Sequence, residues 1–482
     1  MKKKKKILFI HPLGVNWVPG ETDMSRVANI MPPLGLLSLA AWVEKHGHIS
    51  SVHDCYAYPV QDEKIIEKIK TDTPDYIGFS TTTSSFPDAV RIAMKIREVM
   101  PKIKNIFGGV HISALNETLL QDYPVIDYGI VGEGELTLLS LIESDGQIGK
   151  NVPGLLYRDG DEIIFTGFRN KEQLIDLDTL PFPAYDKLNG FPDLYKLPIF
   201  NYPRAPHTTA VSSRGCPYKC SYCDRTVFKR SYRFNSAGYL YDHVKHLNRK
   251  YGIRHINFYD DLFTFNRKRV EEFCRLLINK KRGITFNCAA RAEHVDRDLL
   301  LLMKKAGCWM ISLGIETGDS ELLGVHRSNS DLEMIRSKVE LIRESGIRVK
   351  GLFMMGLPGE TEESIDKSIK YALDIPLNDM NLTKFTPFPG SPVYKEIRRY
   401  GTFNEKWELM NCTNFVFVPN GLTHERLEER YKEFYRRHFE RYHILFDYMT
   451  MIWRSPDSWV RFLLNLRGFL RIRNTFRGNK SA

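Results

Sequence analysis

The chain has no uninterrupted apolar run long enough to span a bilayer, and only 8 cysteines in 482 residues. The first absence excludes a helical membrane span. The second excludes a disulfide-stapled scaffold, which a chain of this length would need many more cysteines to build. Acidic side chains are in deficit: 58 Asp and Glu face 69 Lys and Arg, a formal net charge of +11. Such an excess suits nucleic acid or an anionic membrane surface. No segment resembles a nucleic-acid module, and part of the excess gathers at the far C-terminus, so no nucleic-acid partner is expected. No signal peptide is expected either. Lys2–Lys6 precede only the short apolar run Ile7–Ile10 and then His11-Pro12, which reads as a solvated tail feeding a buried strand. At 43% hydrophobic, the chain has apolar material for two or three domains.

Three of the few cysteines are crowded into Arg214-Gly215-Cys216-Pro217-Tyr218-Lys219-Cys220-Ser221-Tyr222-Cys223. The spacing Cys-x3-Cys-x2-Cys lets one short loop bring the thiolates of Cys216, Cys220 and Cys223 round a single metal cube. Thiolates are the soft ligands that iron–sulfur clusters take. Three ligands on a 4Fe–4S cluster leave one iron open to bind something else. Structural zinc would want a fourth Cys or His nearby, and none follows Cys223 closely. An odd trio is also a poor disulfide framework. Cys55, Cys274, Cys288, Cys308 and Cys412 are scattered and read as buried thiols. Free thiols and an oxygen-sensitive cluster point to a reducing cytoplasm.

The cysteine spacing, Tyr222 just before the last cysteine, and the strand Thr208–Ser213 leading into the loop resemble the radical S-adenosylmethionine (radical SAM) superfamily. The resemblance implies that the open iron chelates the amino and carboxylate groups of S-adenosylmethionine (SAM). One electron, from an external donor of flavodoxin or ferredoxin type, then cleaves the sulfonium. Methionine leaves, and a 5′-deoxyadenosyl radical takes hydrogen from an unactivated position.

From Thr208 to Tyr400 strand and helix alternate, with strands at Thr208–Ser213, His255–Tyr259, Thr285–Ala289, Met310–Ile315, Val349–Met355 and Asn381–Thr386. Six strands fit the superfamily's partial (β/α)6 barrel better than a complete eight-unit barrel, with chemistry at the carboxyl ends of the strands. The resemblance places Asp260 and Asp261, after the second strand, against the methionine amino group, Asp260 ahead of Asp261; capping of the next helix is the alternative. Arg291, after the third strand, pairs with the methionine carboxylate or makes an ordinary salt bridge. After the fourth, Gly314-Ile315-Glu316-Thr317-Gly318 resembles a Gly-x-Glu-x-Gly element in which Glu316 bonds ribose or the amino group and Gly318 keeps the path clear. Tyr222 rests near adenine or is a packing aromatic.

Between Lys6 and about Ser144, short apolar strands (Ile7–Ile10, Tyr76–Ser80, Ile106–Phe107, Tyr128–Val131) alternate with helical stretches (Leu34–His46, Glu63–Lys70, Phe86–Met100). That is the pattern of a doubly wound, Rossmann-like parallel sheet, whose ligand lies outside the carboxyl ends of its strands. Pro32-Pro33-Leu34-Gly35-Leu36, Pro74-Asp75-Tyr76-Ile77-Gly78-Phe79-Ser80, Gly108-Gly109-Val110-His111 and Val131-Gly132-Glu133-Gly134-Glu135 together resemble the cobalamin-binding domain fused to many radical SAM enzymes. The resemblance implies cobalamin held by Ser80, Thr82, Gly108, Gly109, His111, Gly132 and Glu133. Many such domains carry Asp-x-His-x-x-Gly, whose histidine ligates cobalt from below. This chain has Val52-His53-Asp54-Cys55-Tyr56 instead, so no histidine is expected under the cobalt. The alternative is a domain that has lost cobalamin and only shapes the substrate cleft.

The expected organisation is an α/β chain with a cobalamin-binding domain over 1–151, a connector with a hairpin around Arg158-Asp159-Gly160-Asp161 over 152–206, the partial barrel over 207–400 and a helical region over 401–482. In that last region a helix over Trp453–Arg473 would gather Trp459, Phe462, Leu463, Leu466, Phe469 and Leu470 on one face, accompanied by arginines. It reads equally as an interfacial membrane helix and as a helix packed on the barrel. The resemblance implies an enzyme that uses the cluster, SAM and cobalamin to methylate an unactivated carbon of a hydrophobic, lipid-like small molecule. The same residues serve radical cyclisation, oxidation or rearrangement. A non-catalytic iron–sulfur redox sensor would need none of the SAM contacts. The expected setting is cytoplasmic, with peripheral contact at the inner face of a membrane if the C-terminal helix is interfacial.

Overall fold

The computed structural model describes residues 4–14, 29–59, 62–146, 152–280 and 283–466. Its first sheet comprises β1 Lys6–His11, β2 Ile49–Asp54, β3 Tyr76–Ser80, β4 Lys104–Gly108, β5 Tyr128–Ile130, β6 Leu155–Asp159 and β7 Glu162–Phe165, in the order β2-β1-β3-β4-β5-β6-β7. The first five pair in parallel, and β6 and β7 add an antiparallel edge. All of Ile7–Ile10 is buried, as a strand covered on both faces requires. Side chains alternate along it: Leu8 and Ile10 pack with Phe86, Ile92 and Ile96, whereas Ile7 and Phe9 pack with Leu36, Ala40 and Leu141. The strand order reverses between β1 and β3. Helices Leu34–Lys45 and Phe86–Val99 therefore cover opposite faces and leave a crevice at the carboxyl ends.

Three expectations for this half need correction. β2 was not foreseen, because Ile49-Ser50-Ser51-Val52-His53-Asp54 has only two apolar residues and lies at the sheet edge. The hairpin turns where expected, with Asp159 opposite Glu162, but it belongs to the first sheet and not to a separate connector. Lys5 is no solvated tail residue: it is buried and paired with Asp145. Met1–Lys3 lie outside the described residues.

β8 His207–Ala210 opens the second sheet, and a ribbon of β9 Ser213–Arg214 and β10 Arg233–Phe234 frames the cysteine loop. β11 His255–Phe258, β12 Thr285–Ala290, β13 Cys308–Glu316, β14 Arg348–Met355 and β15 Asp379–Lys384 follow. The six strands run parallel in the order β15-β14-β13-β12-β11-β8, an open curved sheet with two free edges. Ser236, Asn266, Asp296, Asp331 and Thr361 each cap the amino end of a crossover helix with a side-chain acceptor.

Beyond the half-barrel, β16 Gly401–Phe403 and β17 Phe417–Pro419 form a second ribbon. Between them Trp407 reaches the first domain, its ring 4.6 Å from His111 and 5.6 Å from Phe86. Helices His424–Phe439, Tyr442–Arg454 and Pro456–Leu464 end the described chain. The expected continuous helix over Trp453–Arg473 is broken at Ser455-Pro456, since proline cannot donate to the preceding turn. Its expected single face is split as well. Trp459 and Phe462 turn inward onto Phe200, while Leu463 and Leu464 are exposed. Phe469, Leu470 and the arginines from Arg467 onward lie outside the described residues. No helix among the described residues is long and apolar enough to cross a membrane.

Candidate active site between the two sheets

The carboxyl ends of both sheets face one cavity of about 320 Å³. Phe79, Ser80, Gly108, Gly109, Gly132 and Glu133 wall it from the first sheet; Val211, Ser213, Arg214, Tyr259 and Asp261 wall it from the second. The lining is mostly apolar, with Leu34, Leu39, Ile106, Leu138, Val227 and Phe228 among it. A Cβ on Gly35 would meet no atom within 4 Å, so that glycine leaves room that a ligand can use; one on Gly132 would meet only the Val227 carbonyl at 3.6 Å, though its φ of +80° already favours glycine. Gly109 has another reason. Its φ is +97°, and a Cβ would fall 2.6–2.7 Å from the Thr81 backbone, which no side chain tolerates.

Two of the residues expected to touch cobalamin do not line this cavity. Thr82 is committed to the turn before the helix Phe86–Val99, its Oγ1 bonded to Ser85 Oγ at 3.0 Å. His111 is fully buried behind the wall, its Nδ1 3.3 Å from Thr83 Oγ1 and its Nε2 without a partner. Burial depresses its pKa to about 3. His53 lines a different cleft beside Asp54 and Tyr195, away from the cavity. A histidine the sequence did not advertise does line it: His243, buried, stacked on Phe182 at 4.9 Å, with Nε2 unpartnered. It sits on an amphipathic helix at a core position, so nothing in the pattern separates it from an ordinary packing residue.

Glu133 belongs to a cluster of charges at the seam. Arg214 Nη1 donates to Glu133 Oε2 at 2.5 Å, Arg214 Nη2 to Glu135 Oε1 at 2.5 Å, and Arg233 also pairs with Glu133. Burial pushes the Glu135 carboxyl up, but the charge and hydrogen bond of Arg214 outweigh it and hold the pKa below the ordinary value. Glu133 is thus neutralised within the protein and ties the cobalamin-side loop to Arg214, two residues before Cys216. Neither arginine was assigned a role from the sequence.

Cys216, Cys220 and Cys223 are all free thiols, the second buried and the others half-buried. Among the described residues no three His, Cys, Asp or Glu side chains converge as ligands of one metal ion. In a cubane each thiolate binds a different iron. Burial raises the Cys216 thiol and pushes Cys223 up to about 12, so metal ligation is what would hold them as thiolates. The loop is pinned from both sides: Ser221 N–H donates to the His326 carbonyl at 3.0 Å, and Val393 N–H to the Ser221 carbonyl at 3.1 Å. At Gly215, φ +86°, a Cβ would strike the Ser231 carbonyl.

Around that loop the expected SAM residues separate into two groups. Asp260 turns away: it is buried and its Oδ1 accepts from Ser212 N, Ser212 Oγ and Ser213 Oγ at 2.9, 2.9 and 2.5 Å, tying β11 to the end of β8. Asp261, ranked second from the sequence, is the one lining the cavity, where the Gly215 N–H of the loop draws its pKa down against burial. Gly318 likewise serves packing, since a Cβ there would lie 2.6 Å from Tyr371 Cβ and 2.7 Å from Ser368 Cα. Glu316 has φ +69° at a register shift in β13, a strained conformation for a glutamate. Arg327 Nη1 stands 3.6 Å from its Oε1, and Arg327 and Tyr222 both draw the carboxyl's pKa down. Burial nonetheless raises the pKa of Glu316, as burial and then Asp260 raise that of Asp261. Two such carboxyls gain from a nearby cation, and SAM brings an ammonium and a sulfonium. Arg291 lies beneath, Nη1 3.9 Å from Cys220 Sγ, paired with Glu293 at 2.5 Å and stacked 3.8 Å over Tyr218. It is held by protein groups as well as placed beside the loop. The donor set therefore fits a site-open cluster and a cationic ligand, and the glycine-walled lip fits a bulky one.

The model of the radical SAM superfamily matches residues 211–372, and that of the B12 binding domain matches residues 20–142. An uncharacterized methyltransferase of Pyrococcus horikoshii is 28% identical over 423 residues, covering 86% of this chain and 87% of its own. An anaerobic magnesium-protoporphyrin IX monomethyl ester cyclase of Cereibacter sphaeroides is 28% identical over 485 residues, covering 97% of this chain and 75% of its own. The solved structure of the radical SAM methyltransferase TsrM from Kitasatospora setae, with cobalamin and a [4Fe-4S] cluster bound, superposes with a TM-score of 0.67 at 19% identity. That match covers 82% of this chain and 78% of TsrM, and shows the fold. Both family models fall on the two sheets whose strand ends meet at the cavity, and the chain belongs to the radical SAM enzymes that carry a B12-binding domain.

Proposed function

We propose that this enzyme methylates an unactivated carbon of a hydrophobic small molecule. The observation that carries the reading is a cavity walled by the strand ends of both domains, with Arg214, two residues before Cys216, on one side and Gly35, Gly108 and Gly132 on the other. When bound, the cluster with SAM supplies one-electron sulfonium cleavage and cobalamin supplies a transferable methyl group. The protein's own part is binding and exclusion of water. Cys216, Cys220 and Cys223 hold the cluster, and the Arg291 guanidinium beside Cys220 offsets thiolate charge. Tyr222, Asp261 and Glu316 receive SAM, the two carboxylates meeting its positive groups. Ser80, Gly108, Gly109 and Gly132 receive cobalamin through main chain and small side chains, with no side chain from β2 beneath the cobalt. Cobalamin binding is assigned to residues 1–151 together with the hairpin, and radical chemistry to 207–400.

The partners under this reading are a small-molecule substrate and an external one-electron donor. A reducing cytoplasmic setting belongs to it, as does peripheral contact with the inner face of a membrane, for which the exposed apolar C-terminal face is the support. A second reading is ring closure or oxidation by the same radical, favoured by the cyclase relative that spans nearly the whole chain. The test is anaerobic incubation of the reconstituted enzyme with methyl-labelled SAM, cobalamin and a cell extract, read by mass spectrometry. Label in a product is expected. An unlabelled product two hydrogens lighter selects the second reading, and no 5′-deoxyadenosine from a full cluster overturns both.

A further inference from the structure

We propose that the helix Tyr442–Arg454 docks on an anionic phospholipid surface, and that it does so at the end of the half-barrel opposite the cysteine loop. This rests on the peripheral contact read above and not on the cofactor chemistry.

The helix buries Ile444 and Met451 against the protein and leaves Tyr442, Leu445, Phe446, Met449, Ile452 and Trp453 exposed. Their spacing sets all six on one stripe. Phe446 is 67% and Trp453 80% exposed, far beyond what scattered surface apolar residues need explaining. The next helix, joined by a hydrogen bond from Trp459 Nε1 to the Tyr448 carbonyl at 3.2 Å, adds exposed Val460, Leu463 and Leu464. No acidic side chain lies on the stripe.

The neighbouring charges select the partner. Phe446 borders a cleft of about 390 Å³ lined by Arg343, His443 and Arg454. The one acid in it, Asp447, is engaged by Arg348 at 2.7 Å and approached by Arg454 at 3.8 Å. Burial, Arg441 and Arg343 hold the His443 pKa below its ordinary value, as a positive surrounding would. Beyond residue 466 the sequence continues with Arg467, Arg471, Arg473, Arg477 and Lys480 and no acid. A second copy of the chain would set this basic surface against itself in a two-fold contact, where like charges repel. An apolar stripe with aromatic residues, flanked by arginines, matches a lipid surface with phosphate headgroups.

The orientation follows from the barrel. Arg348, which holds Asp447, is the first residue of β14, and Asp379, which accepts from Tyr448 Oη at 3.0 Å, is the first residue of β15. Because all six strands are parallel, the helix lies at their amino ends, whereas the cysteine loop follows the carboxyl end of β8. Docking there points the cavity away from the bilayer, so a substrate enters from the aqueous side and is not drawn up through this face.

The full chain, mixed with vesicles of phosphatidylglycerol or of phosphatidylcholine, should sediment with the first only, and salt should release it. Phe446→Ser with Trp453→Ser should weaken binding by about tenfold or more, as should Arg343→Glu with Arg454→Glu, while both variants still form 5′-deoxyadenosine at the parent rate. Brominated phosphatidylglycerol should quench the fluorescence of the parent and not that of Trp453→Phe. The proposal fails if neither double variant changes binding, if removing residues 467–482 alone abolishes it, or if the parent ignores vesicles and instead forms a dimer that Phe446→Ser dissolves. Loss of 5′-deoxyadenosine formation with vesicle binding intact would count against the catalytic reading alone.

Discussion

The two lips of the cavity are built from different material. On the first sheet the strand ends offer glycines, Ser80 and apolar side chains, and the charged Glu133 and Glu135 are turned into the seam. On the second sheet they offer ionisable groups: Arg214 and Asp261 at the cavity itself, and around the cysteine loop three thiols, Arg291 beside Cys220, and Glu316 facing Arg327. A large macrocyclic ligand is gripped by shape and main chain, so its site needs side chains that are absent. A metal cluster and a small dipolar cation are gripped by charge, so their site needs particular side chains, and burial has raised the pKa of Cys216, Cys223, Asp261 and Glu316 among them. Between the two, Arg214 bonds the glutamates of one lip and leads into the cysteines of the other.

Breaking the charged lip should have the largest effect. Cys220→Ala should abolish both the visible absorbance of the reconstituted cluster and SAM cleavage, because no other cysteine is placed on the loop to replace it; Cys412→Ala should leave both intact. A cluster that survives in the first variant and disappears in the second would show the ligands to be misassigned.

The seam comes next. Arg214→Ala leaves Glu133 and Glu135 buried with their main cation gone. Breaking a buried pair this way costs about 3–5 kcal/mol, which a fall in thermal midpoint of the apoprotein would report. An unchanged midpoint would mean that the cluster of charges does not close the two domains on each other.

Smaller effects separate residues that touch SAM from those that only shape its site. Glu316→Gln removes a charge-assisted contact of about 1.5–3 kcal/mol, or roughly ten- to hundredfold in SAM affinity, with the cluster retained. Asp261→Asn should act in the same direction. Asp260→Asn should instead lower stability and leave affinity little changed, since its carboxylate serves Ser212 and Ser213. Equal loss of affinity in the two aspartate variants would contradict that division. Away from the cavity, His53→Ala should change nothing: the electron paramagnetic resonance (EPR) spectrum of bound cob(II)alamin should lack nitrogen splitting from a protein ligand before and after.

The same contrast explains what could be read from the chain itself. Cysteine spacing and the alternation of buried strands are local patterns: six parallel strands stand close to where the alternation put them, the first ending at Ala210 and not at Ser213, and the cysteine loop follows it. Which of two adjacent aspartates faces the cavity depends on the turn after β11, and Asp260 and Asp261 look alike until that turn is folded. Gly109 and Gly318 share a residue type but answer to different neighbours, the Thr81 backbone and the helix Glu362–Asp374. Arg214 and Glu133 are 81 residues apart and meet only when the domains close. The C-terminal face was expected on Trp453–Arg473. It shifted because Pro456 ends one helix and tertiary contacts to Phe200 claim Trp459 and Phe462, leaving the stripe on the helix before.

The central claim is that cluster and cobalamin address one cavity, and magnetic coupling between them tests it without any substrate. Reconstituted enzyme carrying cob(II)alamin should be examined by EPR with the cluster first oxidised and diamagnetic, then reduced and paramagnetic. Facing lips predict that reduction broadens the cob(II)alamin signal and speeds its spin relaxation. A cob(II)alamin signal unaltered by full reduction of the cluster would place the two cofactors in separate sites and contradict the account.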